Sequence, residues 1–260
     1  MSNTHERRLP QHKIGSIAWL RQTQGKMTLR SRLALLRQVL APGVGGVIKS
    51  LFRSGRNHPV ALADIPMPDT AGVKHALDEL ESCASPDIIQ HSFRTYLWGA
   101  GLAQIDRLKY DPEFLLVGCL LHDLGMTARH HGQYASCSCF AGDSAIAAAA
   151  AMRRAGWAED RTEPLADMIC LHMNGHMTPA DGHEAFLLQQ GTACDVVGAR
   201  YYDFQSAYRQ AVLQKHPREK LNHEFIRFMA KEKSMRPASR AAVLVQVGLP
   251  LMIKLNPYVE

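Results

Sequence analysis

Phe114-Leu-Leu-Val-Gly-Cys-Leu-Leu121-His122-Asp123 is the stretch that decides how this chain is read. An unbroken apolar run of that kind belongs in a packed interior. The pair that ends it does not. A buried carboxylate without a partner costs several kcal/mol or takes up a proton. Something must therefore compensate His122 and Asp123, and a bound cation is the most economical candidate. Neighbouring helical residues point about 100° apart, which still lets both converge on one ion lying against the helix between them.

Outward from the pair, two more segments carry isolated polar residues. His91 opens His91-Ser-Phe-Arg94-Thr-Tyr-Leu-Trp98-Gly, and Asp195 stands among small and apolar residues in Gly191-Thr-Ala-Cys-Asp195-Val-Val-Gly198. In this order, His, then His-Asp, then Asp, the chain resembles the HD-domain superfamily of metal-dependent hydrolases. The phrases His91-Ser-Phe-Arg94-Thr-Tyr, Leu121-His122-Asp123-Leu124-Gly125-Met-Thr127, Asp195-Val-Val-Gly198 and Lys215-His-Pro-Arg218 look most like cyanamide hydratase and its relatives. The likeness covers roughly residues 65 to 257. It implies an all-α bundle around one divalent metal ion, held by His91, His122, Asp123 and Asp195. Two imidazoles and two carboxylates suit zinc first, with iron or manganese as alternatives.

Composition agrees. The chain has 260 residues, 46% hydrophobic and 21% charged, enough for one substantial core and ordinary for a globular protein. No stretch approaches the ~18 apolar residues of a membrane span, and no secretory signal is evident. The six cysteines are scattered, five of them in apolar or Ala-rich surroundings, and read as reduced, buried thiols of a cytoplasmic protein.

Charge divides the chain into a basic arm, residues 1–64, and the HD body, 65–260. Residues 1–60 hold eleven Lys and Arg against Glu6 alone, a net +10 in a chain whose total is +6, so the remainder carries −4. Leu33, Leu36 and Leu40 recur at helical spacing beside Arg32 and Arg37. The preferred reading is a helical extension that lays its leucines on the bundle. Peripheral membrane or protein contact through residues 1–60 and an organelle-targeting presequence are the alternatives. Pro42–Gly46 breaks the pattern, and residues 54–59 read as a turn. No motif for nucleic-acid binding accompanies the arm. Homo-oligomerisation is left open.

Beyond residue 70 the spacing predicts helices over 73–83, capped by Asp69 or Thr70, then from Pro86, then from Pro112 to Gly125. Others follow over 141–154, 163–173, 183–204, 204–214, 221–231 and 239–256. No segment alternates with a two-residue period, so a sheet is not expected.

Arg94 shares a helix face with His91. It can orient a substrate or a ligand carboxylate, or form a structural ion pair. His172 falls, by resemblance, where relatives have a pocket histidine. His176 shares its face only if the helix outlasts Asn174-Gly175. Asp143 stands where dinuclear relatives place a histidine, which favours a single ion. His130-His131 and Cys137-Ser-Cys139 do not have a standard zinc spacing, and their segment reads as a loop bordering the pocket, with Tyr134 and Phe140 toward substrate.

The expected chemistry is metal-assisted attack of water on a small molecule, with Asp123 or Asp195 taking the proton and His172 or Arg94 holding the substrate. No acid follows His122-Asp123 within Leu124–Thr127 and no Gly-rich phosphate loop is present; both lean away from nucleotide phosphohydrolysis. Ala141 follows Phe140 where the cyanamide-hydratase group commonly has glutamate. The competing readings are an HD phosphohydrolase of nucleotides or phosphate esters, a dinuclear-iron HD oxygenase, and a non-catalytic HD scaffold docked through its arm.

Overall fold

The computed structural model describes residues 12–39, 59–135 and 137–258. Among these the helices are α1 (Ile17–Thr23), α2 (29–39), α3 (Ala71–Glu81), α4 (Pro86–Asp106), α5 (Pro112–Leu121) and α6 (Phe140–Arg154). They continue with α7 (Glu159–Leu171), α8 (His183–Val197), α9 (Ser206–Lys215), α10 (Leu221–Met235), α11 (Arg240–Gln246) and α12 (Leu249–Lys254). No strand occurs among the described residues, and the fold is the all-helical bundle expected of an HD domain. None of the helices is long and apolar enough to cross a membrane.

Capping follows the local chemistry. The Thr70 hydroxyl accepts from the Val73 amide at 3.1 Å, and Asp111 accepts from Phe114 at 3.1 Å with Pro112 in the first turn. Several boundaries differ from those the spacing suggests. The helix that leads into the His-Asp pair stops at Leu121, not Gly125: His122 is its C-cap, Asp123 leaves helical geometry at φ −110°, ψ 15°, and Leu124–Met126 form one 3-10 turn. Gly125 serves close approach instead. Its amide donates to Ser144 Oγ at 2.8 Å, and a Cβ there would lie 2.0 Å from the Phe140 carbonyl oxygen. α8 ends at Gly198, φ 69°, well short of Phe204, because a left-handed C-cap stops it. The last predicted helix is two, divided at Gly248 with φ 101°.

The core joins α4, α5, α6, α7 and α8, and two glycines let its central pair touch. A Cβ at Gly99 on α4 would sit 2.8 Å from Leu187 O, and one at Gly191 on α8 would sit 2.2 Å from Thr95 O. Backbone therefore meets backbone where α4 crosses α8. That crossing turns His91, Arg94 and Trp98 onto Asp195.

The described part of the arm packs on the body. Trp19, Leu20, Met27 and Leu35 are buried, and Ile17 N donates to Asp167 Oδ1 at 2.7 Å. The buried stripe of α2 runs through Ser31 and Leu35, while Leu33 is 53% exposed and Leu36 is half-buried. Leu40, Pro42–Gly46 and residues 54–58 lie outside the described residues.

Candidate metal centre

Three of the four expected ligands come together. His91, the His122 C-cap and Asp123 each offer a ligand atom, all within 4.8 Å of one another, and all three residues are buried. Among the described residues this is the group of acids, histidines and cysteines able to hold a metal ion. His122 Nε2 lies 3.3 Å from His91 Nε2 and 3.3 Å from Asp123 Oδ2, and His91 Nε2 lies 3.5 Å from the same oxygen.

The outer edge of each ring is already engaged. His91 Nδ1 meets Asp195 Oδ2 at 2.7 Å, and His122 Nδ1 donates to the Cys119 carbonyl at 2.7 Å. Both Nε2 lone pairs are thereby aimed inward. Asp123 is 1% exposed, and neither of its oxygens has a hydrogen-bond donor. Burial alone pushes that carboxyl up, yet the neighbouring His122 and His91 rings hold it well below the usual carboxylate range. Against burial, the nearby Asp123 and Asp195 carboxylates raise His91 above the ordinary imidazole value. The arrangement calls for positive charge between the three groups. The orphaned carboxylate and paired lone pairs fit a divalent cation, by donor type and by burial.

Asp195 stands behind His91 and does not join the converging trio. Its Oδ1 accepts from Arg94 Nε (2.8 Å), Trp98 Nε1 (3.0 Å) and Arg218 Nη1 (3.2 Å), and its Oδ2 accepts from Arg94 Nη2 (2.9 Å) as well as His91. Despite burial, Arg94 and then Arg218 hold its carboxyl well below the ordinary range. Arg94 is thus placed on a carboxylate and not on open cavity. Its Nη1 also donates to the His216 and Pro217 carbonyls.

His172, the C-cap of α7, completes the surroundings. Its Nδ1 donates to Ile169 O at 2.6 Å, and its Nε2 is 3.8 Å from Asp123 Oδ1. Burial, then repulsion from His122, depresses it to about 3, so it is neutral at physiological pH. The helix ends at Leu171, which separates His176 from this face.

Trp98 and Arg218 were given no role by sequence reasoning. Trp98 continues the stripe of His91 and Arg94 one turn on, and Arg218 closes the Lys215–Arg218 phrase; those were the available signals. A second cluster was also missed. Glu232 of α10 accepts from Phe140 N (3.1 Å) and pairs with His131 Nε2 (2.8 Å), while Asp143 accepts from Gly132 N (2.9 Å) and Arg236 Nη2 (2.7 Å). It pins the segment between the His-Asp pair and α6. Asp143 Oδ2 is committed there, and His130 pairs with Glu79 at 3.3 Å. Neither they nor Cys137 and Cys139 belong to a metal-competent group.

Aromatic rings wall the centre. Phe225 lies 6.1 Å from the His91 ring, and Phe140 lies 6.1 Å from His172 and 5.3 Å from Phe228. Phe228 also lines a cleft of ≈ 1070 Å³ with Ile88, Met126, Thr127, His131 and Lys220.

The HD-domain family matches residues 88–245, more than half of the chain. This protein belongs to the HD-domain family. HD domains bind divalent metals and are usually metal-dependent phosphohydrolases. In this HD domain the matched span contains His91, His122, Asp123 and Asp195. No curated protein matches the chain, so the narrower likeness to the cyanamide hydratase group has no relative behind it.

Proposed function

We propose that this HD domain is a metal-dependent hydrolase or hydratase that directs water onto a small, uncharged molecule at the His91–His122–Asp123 centre. The observation that carries the reading is Asp123: a buried carboxylate with no hydrogen-bond donor on either oxygen, facing two imidazole nitrogens whose far edges are engaged. These three side chains would hold a divalent cation, zinc in the first instance, which would supply a Lewis acid that lowers the pKa of water toward about 7.

The remaining work falls to the chain. Asp195 fixes the tautomer and tilt of His91, and Arg94, Trp98 and Arg218 fix Asp195. Arg94 therefore acts through His91 as a positioning residue. One Asp123 oxygen remains to accept a proton. His172 keeps Nε2 as an acceptor, since Nδ1 is spent on Ile169, and orients an O–H or N–H of water or substrate.

Two features favour a small, uncharged substrate. The centre is enclosed by Phe140 and Phe225. Arg94 and Arg218 are committed to Asp195, leaving neither to neutralise a phosphate. A phosphohydrolase is the second reading, favoured by the habit of the family. An HD oxygenase needs a second ion, and Asp143, the nearest sequence candidate for it, is bound to Arg236.

Elemental analysis of purified protein, then assays of small nitriles and phosphate esters with that metal restored, separates these readings. One ion per chain with nitrile hydration supports the proposal. Two irons point to an oxygenase, and phosphate release to the phosphohydrolase. Full metal occupancy in His122→Ala, or activity surviving its removal, overturns the site itself.

A further inference from the structure

Away from the metal centre, one buried cation has no carboxylate beside it among the described residues. The Arg240 side chain is 1% exposed. Its Nη1 donates to Asn174 Oδ1 at 3.1 Å, its Nη2 lies 4.0 Å from Cys139 Sγ, its carbon lies 5.7 Å from the Trp19 ring centroid, and its Nε has no partner. A buried guanidinium calls for a compensating anion. The atom within reach that can carry one is the Cys139 sulfur.

Cys139 is also the N-cap of α6, a helix of 15 residues, and helix N-termini favour thiolate. A second sulfur is folded against its backbone. Cys137 Sγ lies 3.0 Å from the Cys139 carbonyl oxygen and 3.4 Å from the Cys139 amide nitrogen. Two glycines leave room for the sulfurs: a Cβ at Gly142 would lie 2.3 Å from Cys137 Sγ, and one at Gly25 would lie 3.3 Å from Cys139 Sγ. Between them, Ser138 N donates to Gln24 O at 2.8 Å and clamps the arch. Cys137, then Arg240 and the Gly142 amide, hold the Cys139 thiol below its usual range against burial, while Cys137 is pushed up by its partner and by burial. The pair is thus a nucleophile with a protonated neighbour.

We propose that Cys137 and Cys139 form a redox pair, in which the Cys139 thiolate attacks a hydroperoxide and Cys137 closes a disulfide across Ser138. In the first step the Cys139 sulfur takes one peroxide oxygen. The O–O bond breaks, the other oxygen leaves as an alcohol, or as water from hydrogen peroxide, and a sulfenic acid remains. In the second, the Cys137 sulfur attacks Cys139 sulfur and gives up its proton, and the sulfenic oxygen leaves as water. Two thiols and one hydroperoxide become one disulfide, one alcohol and one water; the sulfurs lose two electrons and the O–O bond gains them. The pair adjoins Phe140, whose ring meets His172, so the modification sits one residue from the wall of the metal centre.

The test uses the full chain, reduced and then exposed to hydrogen peroxide under native conditions. Remaining thiols are alkylated in denaturant and the protein is digested with trypsin. The peptide His130–Arg153 contains Cys137 and Cys139 and no other cysteine. It is expected to lose two hydrogens in mass, to regain them with a thiol reductant, and to react roughly tenfold faster in folded than in denatured protein. The peptides bearing Cys119, Cys170 and Cys194 stay reduced. In Cys137→Ser the reaction stops at a Cys139 sulfenic acid that a 1,3-diketone captures, and Arg240→Gln slows the first step. Because Arg240→Gln can fail to fold, the wild-type rates and Cys137→Ser decide the matter. A peptide that stays reduced in folded protein, that oxidises no faster than when denatured, or that over-oxidises at Cys139 without a disulfide overturns the proposal.

Discussion

Replacing Asp123 by asparagine separates a metal ligand from a structural ion pair. The carboxylate is 1% exposed and both oxygens lack donors. Against burial, His122 and then His91 hold it ionised, so it contributes stability that a neutral side chain gives up. The substitution removes that charge, and the new side-chain amide can donate to the His122 Nε2 lone pair, which lies 3.3 Å from the present Oδ2. In a chain of this size each kcal/mol moves the melting temperature by about 2–4 °C. In chelator, Asp123→Asn should therefore melt below wild type, by roughly 2–12 °C for a loss of about 1–3 kcal/mol. Zinc at a hundredfold over its Kd should add about 2.7 kcal/mol to wild type, or about 5–10 °C, and nothing to the variant. The assay is a thermal melt of both proteins, with chelator and with zinc. If His122 and Asp123 were only an ion pair, the substitution would cost about 3–5 kcal/mol and zinc would raise neither protein. A wild type that zinc does not raise, or a zinc-dependent rise retained by the variant, would refute the reasoning.

Asp195→Asn strips the counter-charge from the buried Arg94 and Arg218, so urea unfolding should show a loss of about 3–5 kcal/mol even in chelator. Gly191→Ala puts a methyl 2.2 Å from Thr95 O; it should cost at least about 1–3 kcal/mol and weaken zinc binding in a competition titration, by separating His91 from α5. His216 is held at about 4 by burial, then by Lys215 and Arg94, against an ordinary 6.5. Below pH 6.5 the unfolded chain therefore takes up a proton that the folded one refuses, and stability falls as pH drops from 6.5 toward 4. His216→Gln should flatten that part of a urea-midpoint profile, and an unchanged slope would show that another group carries it.

Much of the bundle was legible because apolar runs such as Phe114–Leu121 and the caps Thr70 and Asp111 act over a few residues. The ends of α5 and α8 were harder. Asp123 leaves the helix where Gly125 is drawn onto α6 through Ser144, a contact nineteen residues away in sequence, and no local propensity encodes that. The trio His91, His122 and Asp123 could be proposed from residue type and order. The rank of Asp195 could not, because spacing says that a carboxylate is near but not whether it faces the ion or the ring behind it. Glu232 reads in sequence as one more acid among Lys231, Lys233 and Arg236, and only the packing of α10 on Phe140 reveals it as buried.

The three histidines around the centre are not held alike. His122 and His172 each bond a carbonyl three residues back in their own helix, Cys119 and Ile169. His91 depends on Asp195, contributed by α8 across the glycine crossing. Two of the rings therefore keep their aim as long as their own turns persist, whereas the third, a ligand, loses its aim once two helices part. Gentle loosening of the bundle should release the ion through His91, well before the chain as a whole gives way.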